Sequence, residues 1–92
     1  MVVSDFPFEE KQISAKTFLR EFKHDVHSDE LIWHQDREDR KITIMEANGW
    51  LLQIDNQVPI FLENNKDYHI PKYTWHRVIK GKGNLKILLE KQ

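Results

Sequence analysis

An apolar run passes directly into a charged one in the segment Leu31-Ile32-Trp33-His34-Gln35-Asp36-Arg37-Glu38-Asp39-Arg40. If a strand runs through this segment (Glu30–Asp36 and beyond), the two-residue period of β structure puts four titratable side chains on one face: His34, Asp36, Glu38 and Arg40. Burying such groups without partners is strongly unfavourable. Either this face is hydrated and functional, or the chain turns outward after His34 and the charges form a solvated loop.

The remainder of the chain favours β structure. Asn48-Gly49 is typical of a hairpin turn, and Trp50, Leu52 and Ile54 share one face of the strand that follows it. Further short strands are predicted, with turn residues between them, at residues 41–46, 50–55, 58–62, 68–71, 74–79 and 85–90. About seven or eight short strands at this spacing predict an all-β barrel or sandwich.

Residues 14–25 are ambiguous. Phe18, Leu19 and Phe22 have helical spacing and Ser14 could cap a helix, but the same residues also fit a strand with Phe18 and Phe22 inward. We favour the strand because everything that follows is β. Before it, residues 1–13 contain a proline between Phe6 and Phe8, which predicts an irregular or edge arm whose phenylalanines pack onto the body.

Composition limits the class of protein. A chain of 92 residues has room for one domain, 1–92. It has no cysteine, which excludes disulfides and thiolate metal sites and fits a cytoplasmic location. We expect no membrane partner because no apolar run approaches the length of a bilayer span. A net charge of −1 argues against a nucleic-acid partner, although the C-terminal end is locally basic.

A second informative stretch is Ile70-Pro71-Lys72-Tyr73-Thr74-Trp75-His76-Arg77. With it, the chain resembles the cupin family over residues 28–88. Cupins carry one motif with a His-x-His pair followed by a glutamate and a glycine. A second motif has a glycine, a Pro-x-Gly turn and a histidine. More narrowly, the pattern is similar to that of small cupin-like proteins encoded by phages of cyanobacteria, which would place this protein in the host cytoplasm.

The match to the first motif is partial. His34 falls on its first histidine, Asp36 on the second, Arg40 on the glutamate and Ala47 on the glycine. In the second motif the correspondences are Asn65 for the first glycine, Pro71 for the proline, Tyr73 for the second glycine, His76 for the histidine and Lys80 for a closing asparagine. The resemblance implies a small double-stranded β-helix, a jelly-roll barrel with its site inside, and a divalent metal: Fe, Mn, Ni or Zn.

His34, Asp36 and His76 are suitable residues for a two-histidine, one-carboxylate metal site. Arg40 would place a fixed positive charge where the family has a ligand, and it could instead pair with Asp36 or Glu38 or hold an anionic substrate. Arg77 could also orient a carboxylate, and Tyr73 could line the mouth of the site or pack at its rim. The alternative for the histidines is a hydrogen-bonded interior pair without metal.

Two functions follow from these readings. The first is a metal-binding cupin that takes a small polar ligand in its barrel, as an oxygenase- or isomerase-type enzyme or as a sensor. The second is a metal-free scaffold that binds a ligand or a protein. We also expect a homodimer, because a chain of this size is too small to bury all ten of its aromatic residues in one core. The aromatic residues that could be exposed are Phe6, Phe8, Trp33 and Trp75, of which the two tryptophans precede the two histidines and should face away from the barrel interior.

Overall fold

The computed structural model describes residues 6–92 and is an all-β fold, as predicted. Its eight strands are β1 (Glu9–Gln12), β2 (Thr17–Phe22), β3 (Arg40–Glu46), β4 (Leu51–Ile54), β5 (Ile60–Phe61), β6 (Asp67–Ile70), β7 (His76–Ile79) and β8 (Leu85–Lys91). A short 3₁₀ turn covers Ser28–Glu30. No helix within the described range is long and apolar enough to cross a membrane.

The strands form two antiparallel sheets. The larger sheet has the order β1-β2-β8-β3-β6 and the smaller one has the order β5-β4-β7. Apolar side chains from both sheets fill the space between them: Ile44, Ile87 and Leu89 come from the larger sheet and Leu52 from the smaller. This is the two-sheet jelly-roll arrangement expected for a small double-stranded β-helix.

The ambiguous segment is a strand. Residues of β2 pair with β8 in a register that sets Phe18 opposite Leu89 and Phe22 opposite Leu85. Phe22 is buried, and Phe18 is partly buried against the core. Packing of both phenylalanines on one side therefore selects strand over helix.

The N-terminal arm forms the edge strand β1, which pairs with β2. Phe8 packs against the core, and Phe6 stacks on Phe8 with ring centroids 5.3 Å apart. The prediction that these phenylalanines pack onto the body is confirmed for Phe8, whereas Phe6 stacks on Phe8 and is 68% exposed. The first part of the predicted arm, residues 1–5, lies outside the described residues.

The Asn48-Gly49 turn does not form a hairpin. Trp50 N–H donates to the carbonyl of Ala47 at 3.0 Å, and both Asn48 and Gly49 have positive φ, so the turn itself is the predicted one. However, β3 pairs with β6 and β8 whereas β4 pairs with β5 and β7. The turn is fixed on the loop before β8, where Trp50 Nε1 donates to the Gly83 carbonyl at 2.7 Å. It thereby directs the chain from one sheet to the other.

The predicted strand over residues 30–36 is also wrong. Ser28–Glu30 is a 3₁₀ turn, and among residues 31–39 a single β-bridge forms, between His34 and His76. After that bridge the backbone is held by the turn at residues 71–74 instead of a strand ladder, because Tyr73 N–H donates to the Asp36 carbonyl at 2.7 Å. The charged run is therefore an irregular segment that lies beside β7, the edge strand of the smaller sheet.

Candidate metal centre

The β-bridge brings the two motif histidines together. His34 and His76 exchange both backbone hydrogen bonds, at 3.0 and 2.9 Å, and their ring centroids are 4.2 Å apart. Asp36 follows two residues after His34 and points to the same place. One ligand atom from each of His34, Asp36 and His76 can be chosen so that all three lie within 4.8 Å of one another.

Backbone carbonyls fix the orientation of both rings. His76 Nδ1 lies 2.8 Å from the Thr74 carbonyl, and His34 Nδ1 lies 3.2 Å from the Ile32 carbonyl. A carbonyl oxygen only accepts, so each Nδ1 carries the proton in the neutral ring, and each Nε2 presents a lone pair. Metal-binding histidines commonly show this arrangement, with one nitrogen donating to the protein and the other free for the ion.

Asp36 divides its two oxygens between two neighbours. Oδ1 lies 3.2 Å from Arg40 Nη1, while Oδ2 lies 3.5 Å from His76 Nε2 and is buried with no hydrogen-bond partner. The Arg40 guanidinium also donates to Glu38 Oε1 through Nη2 at 3.0 Å and Nε at 3.2 Å. Arg40 thus holds the carboxylate of Asp36 in place by one oxygen and leaves the other facing His76.

His76 is buried in its neutral form. Burial lowers the pKa of His76, and the neighbouring His34 lowers it further, while the hydrogen bond to Thr74 and the Asp36 carboxylate act in the opposite direction. A proton on Nε2 is therefore disfavoured even though a carboxylate oxygen lies beside it. Two lone pairs face each other at this point, which is the donor arrangement that a cation would satisfy.

A cavity of about 470 Å³ lies beside this group, between the two sheets. His34, Asp36, His76 and Arg40 line it together with apolar residues of both sheets. Arg20 also lines it, as do Phe6, Pro7 and Phe8 of the N-terminal arm. The three candidate ligands therefore adjoin a space large enough for a small molecule.

The structure does not bring every predicted ligand-binding residue to this cavity. Arg40 lines it, whereas Tyr73 and Arg77 are not among its lining residues. Arg77 alternates with His76 along β7 and so faces outward, where its guanidinium lies 4.7 Å from the centre of the Trp33 ring. Tyr73 is 60% exposed in the turn after β6.

Sequence reasoning missed Arg20. Its side chain lies in the cavity wall, donates to Glu10 Oε1 at 2.7 and 2.9 Å, and covers the Phe8 ring at 3.8 Å. The signal was present, because a strand with Phe18 and Phe22 inward must also turn Arg20 inward. The three remaining histidines (His24, His27, His69) are exposed.

Comparisons with solved structures agree with this architecture. The cupin-2 domain protein from Shewanella frigidimarina is 22% identical, with 92% of this chain and 79% of that chain covered and a TM-score of 0.64. A cupin superfamily protein from Desulfitobacterium hafniense is 21% identical, with 91% and 73% covered and a TM-score of 0.68. The Co(II) form of HppE in complex with Tris is 10% identical, with 100% and 57% covered and a TM-score of 0.76.

Some matched structures are much longer than this chain, which spans 57% of that HppE chain and 37% of a matched chain from work on two DMSP lyases. No protein-family profile and no curated protein sequence matches the chain. At these identities the likeness concerns the fold. The chain has the cupin fold, a small double-stranded β-helix in which the segment with His34 and Asp36 meets β7 through the His34–His76 bridge.

Proposed function

We propose that His34, Asp36 and His76 bind one divalent metal ion and that the adjoining cavity takes a small ligand. The observation that carries this proposal is the buried, unpartnered Asp36 Oδ2 beside the lone pair of His76 Nε2. The residues present fit the group, because two imidazoles and one carboxylate form the two-histidine, one-carboxylate set used by Fe(II) and related ions.

Each residue has a defined role in holding the ion. His34 and His76 would contribute Nε2 atoms from rings fixed by backbone carbonyls, and Asp36 would contribute Oδ2 while Arg40 retains Oδ1. When bound, such an ion supplies Lewis-acid polarisation of a ligand oxygen. The apolar walls of the adjoining cavity would exclude water from the part of the ligand that lies away from the ion.

The matched structures support the class of activity without specifying it. Solved forms of HppE include Fe(II) and Co(II), and another matched chain comes from work on DMSP lyases. An oxygen-dependent oxidation, or a metal-assisted isomerisation or elimination, is therefore the activity that we propose if the protein is an enzyme. The candidate metals are Fe, Mn, Ni and Zn.

A metal-free scaffold is the second candidate, and Arg40 favours it. Its guanidinium occupies the motif position of the family's glutamate ligand and already neutralises part of the Asp36 charge at 3.2 Å. In that case the cavity would bind a ligand without an ion, or the outer surface of the barrel would bind a protein.

Titration of metal-free protein with Co(II) distinguishes the two functions. We expect visible ligand-field absorption that saturates at one equivalent and is lost in His76→Ala. The matched control is His69→Ala, which removes an exposed histidine from β6 and should leave the titration unchanged. Equal, weak binding by wild type and His76→Ala would contradict the metal function.

A further inference from the structure

The wall of the cavity is apolar over most of its extent. Apolar lining residues come from the arm, from the larger sheet and from the smaller sheet: Phe8, Ile42, Ile87, Leu89, Leu52 and Val78. The polar groups are confined to the metal end and to Arg20 and Glu30. A ligand that fills this space must therefore place an apolar body against the walls, because a polar body would lose its hydration without gaining partners.

Both cations in the cavity lining already have carboxylate partners. Arg20 pairs with Glu10 at 2.7 Å, and Arg40 pairs with Asp36 at 3.2 Å and with Glu38 at 3.0 Å. Among the described lining residues, no cation is left to bind a second charge on the body of a ligand. The body of a ligand that fills this cavity would therefore be uncharged as well as apolar.

The charge at the metal end specifies the head group. Arg40 pairs with two carboxylates, Asp36 and Glu38, so this ion-pair cluster has one negative charge in excess. A divalent ion changes that excess to one positive charge. A head group with one negative charge and an oxygen donor would neutralise the loaded site.

We propose that the cavity takes a small amphiphilic monoanion, with a single oxyanion head at the metal and an uncharged apolar body between the sheets. The head-group half rests on the proposed metal site, whereas the apolar-body half does not. This narrows the small polar ligand expected from the sequence to one that is polar at one end only. A cavity of about 470 Å³ lies in the lower part of the range of small-molecule sites.

The body is tested on metal-free protein with the uncharged fluorescent probe N-phenylnaphthylamine. We expect saturable fluorescence enhancement in wild type and at least tenfold weaker binding in Val78→Phe, which fills the cavity. The matched control is Ile79→Phe, the next residue of β7, which is outside the lining and should bind as wild type does. Val78→Thr, nearly the same shape with a hydroxyl, should weaken binding severalfold. Absent binding in wild type, or equal binding by all variants, would overturn the proposal.

The head is tested on Co(II)-loaded protein with acetohydroxamate and hexanohydroxamate, which share a head and differ in the length of the tail. We expect both to perturb the Co(II) spectrum, with the longer one binding at least tenfold tighter in wild type and Ile79→Phe. In Val78→Phe this advantage should vanish while acetohydroxamate still binds, which also shows that the variant folds. Equal affinities in wild type would overturn the proposal. Failure of Co(II) to bind would overturn the metal and head together, while the N-phenylnaphthylamine result would still decide the body.

Discussion

Asp36 Oδ2 and His76 Nε2 lie 3.5 Å apart, and no hydrogen-bond donor reaches the buried Oδ2. Each side chain is fixed from behind, Asp36 by Arg40 and His76 by the Thr74 carbonyl. Neither can turn away without losing that contact. A buried carboxylate oxygen facing a lone pair is unfavourable by itself, and it becomes favourable when a cation lies between the two atoms.

Arg40 should influence metal affinity and stability in opposite directions. We expect Arg40→Gln to lower the free energy of unfolding of metal-free protein by about 2–3 kcal/mol, because Asp36 and Glu38 lose their shared cation. Metal affinity should rise severalfold, since a positive charge is removed beside the ion. Urea unfolding with and without Ni(II) measures both effects. The exposed Arg37→Gln is the matched control, and a parallel loss of stability and affinity in Arg40→Gln would contradict this role.

The stability of metal-free protein should depend on His76 protonation. Burial lowers the pKa of His76 below the ordinary value of 6.5, so between the two values the unfolded state binds more protons than the folded state. The free energy of unfolding should therefore fall as pH drops from about 6.5 toward the lowered pKa. Chelator-treated protein, unfolded in urea across this range, gives the slope.

His76→Gln should reduce that slope, whereas His69→Gln should leave it unchanged because the His69 ring is exposed. The same slope in wild type and His76→Gln would show that burial of this ring does not control the pH dependence.

Tyr73 should be a strained position. It lies at the third residue of the turn from Pro71 to Thr74 with φ of +59°, where glycine is favoured and where the cupin motif has glycine. We expect Tyr73→Gly to raise the free energy of unfolding by about 0.5 kcal/mol, because relief of strain exceeds the added entropy of the unfolded chain. Thermal unfolding measures the change.

The matched control is Lys72→Gly, which adds a glycine in the same turn where φ is not positive and should destabilise by about 0.5–1 kcal/mol. Because Tyr73 is outside the cavity lining, Tyr73→Gly should bind Co(II) as wild type does. Equal loss of stability in the two variants would show that the strain is not significant.

The outer face of the smaller sheet should bind a second copy of this chain. Leu51 pairs with Phe61 on one side and with Ile79 on the other, so three apolar side chains form a row across the sheet. Phe61 is 67% exposed. Arg77, two residues before Ile79 on β7, places its guanidinium over the exposed Trp33 ring. We predict a homodimer in sedimentation velocity at micromolar concentration, converted to monomer by Phe61→Glu but not by the exposed Val58→Glu. A wild-type monomer would contradict the prediction.

The strand content could be predicted because alternation and turn residues are local signals. β3, β4 and β8 lie where apolar residues alternate, and Asn65 has the positive φ that its place in the second motif requires. The Asn48-Gly49 turn shows the limit of such signals. Its geometry is local, but its connection between sheets depends on a hydrogen bond from Trp50 to the distant Gly83.

The proximity of the three candidate ligands could be predicted from the sequence, but the backbone that brings them together could not. His34, Asp36 and His76 come together as the motif spacing implies, yet they do so through one β-bridge instead of a continuous strand. Contacts between distant segments, such as Tyr73 with Asp36 and Arg20 with Glu10, decide which charges turn inward. Residue spacing alone does not contain these contacts.

Metal stoichiometry tests the central claim most directly. Untagged protein is stripped with chelator, reconstituted separately with Fe(II), Mn(II), Ni(II) and Zn(II), desalted, and measured by elemental analysis beside Asp36→Asn and His76→Ala. We predict one equivalent of at least one of these metals in wild type, well below one in Asp36→Asn, and none in His76→Ala, with all three proteins folded by circular dichroism. Retention far below one equivalent of every metal by wild type would contradict the account.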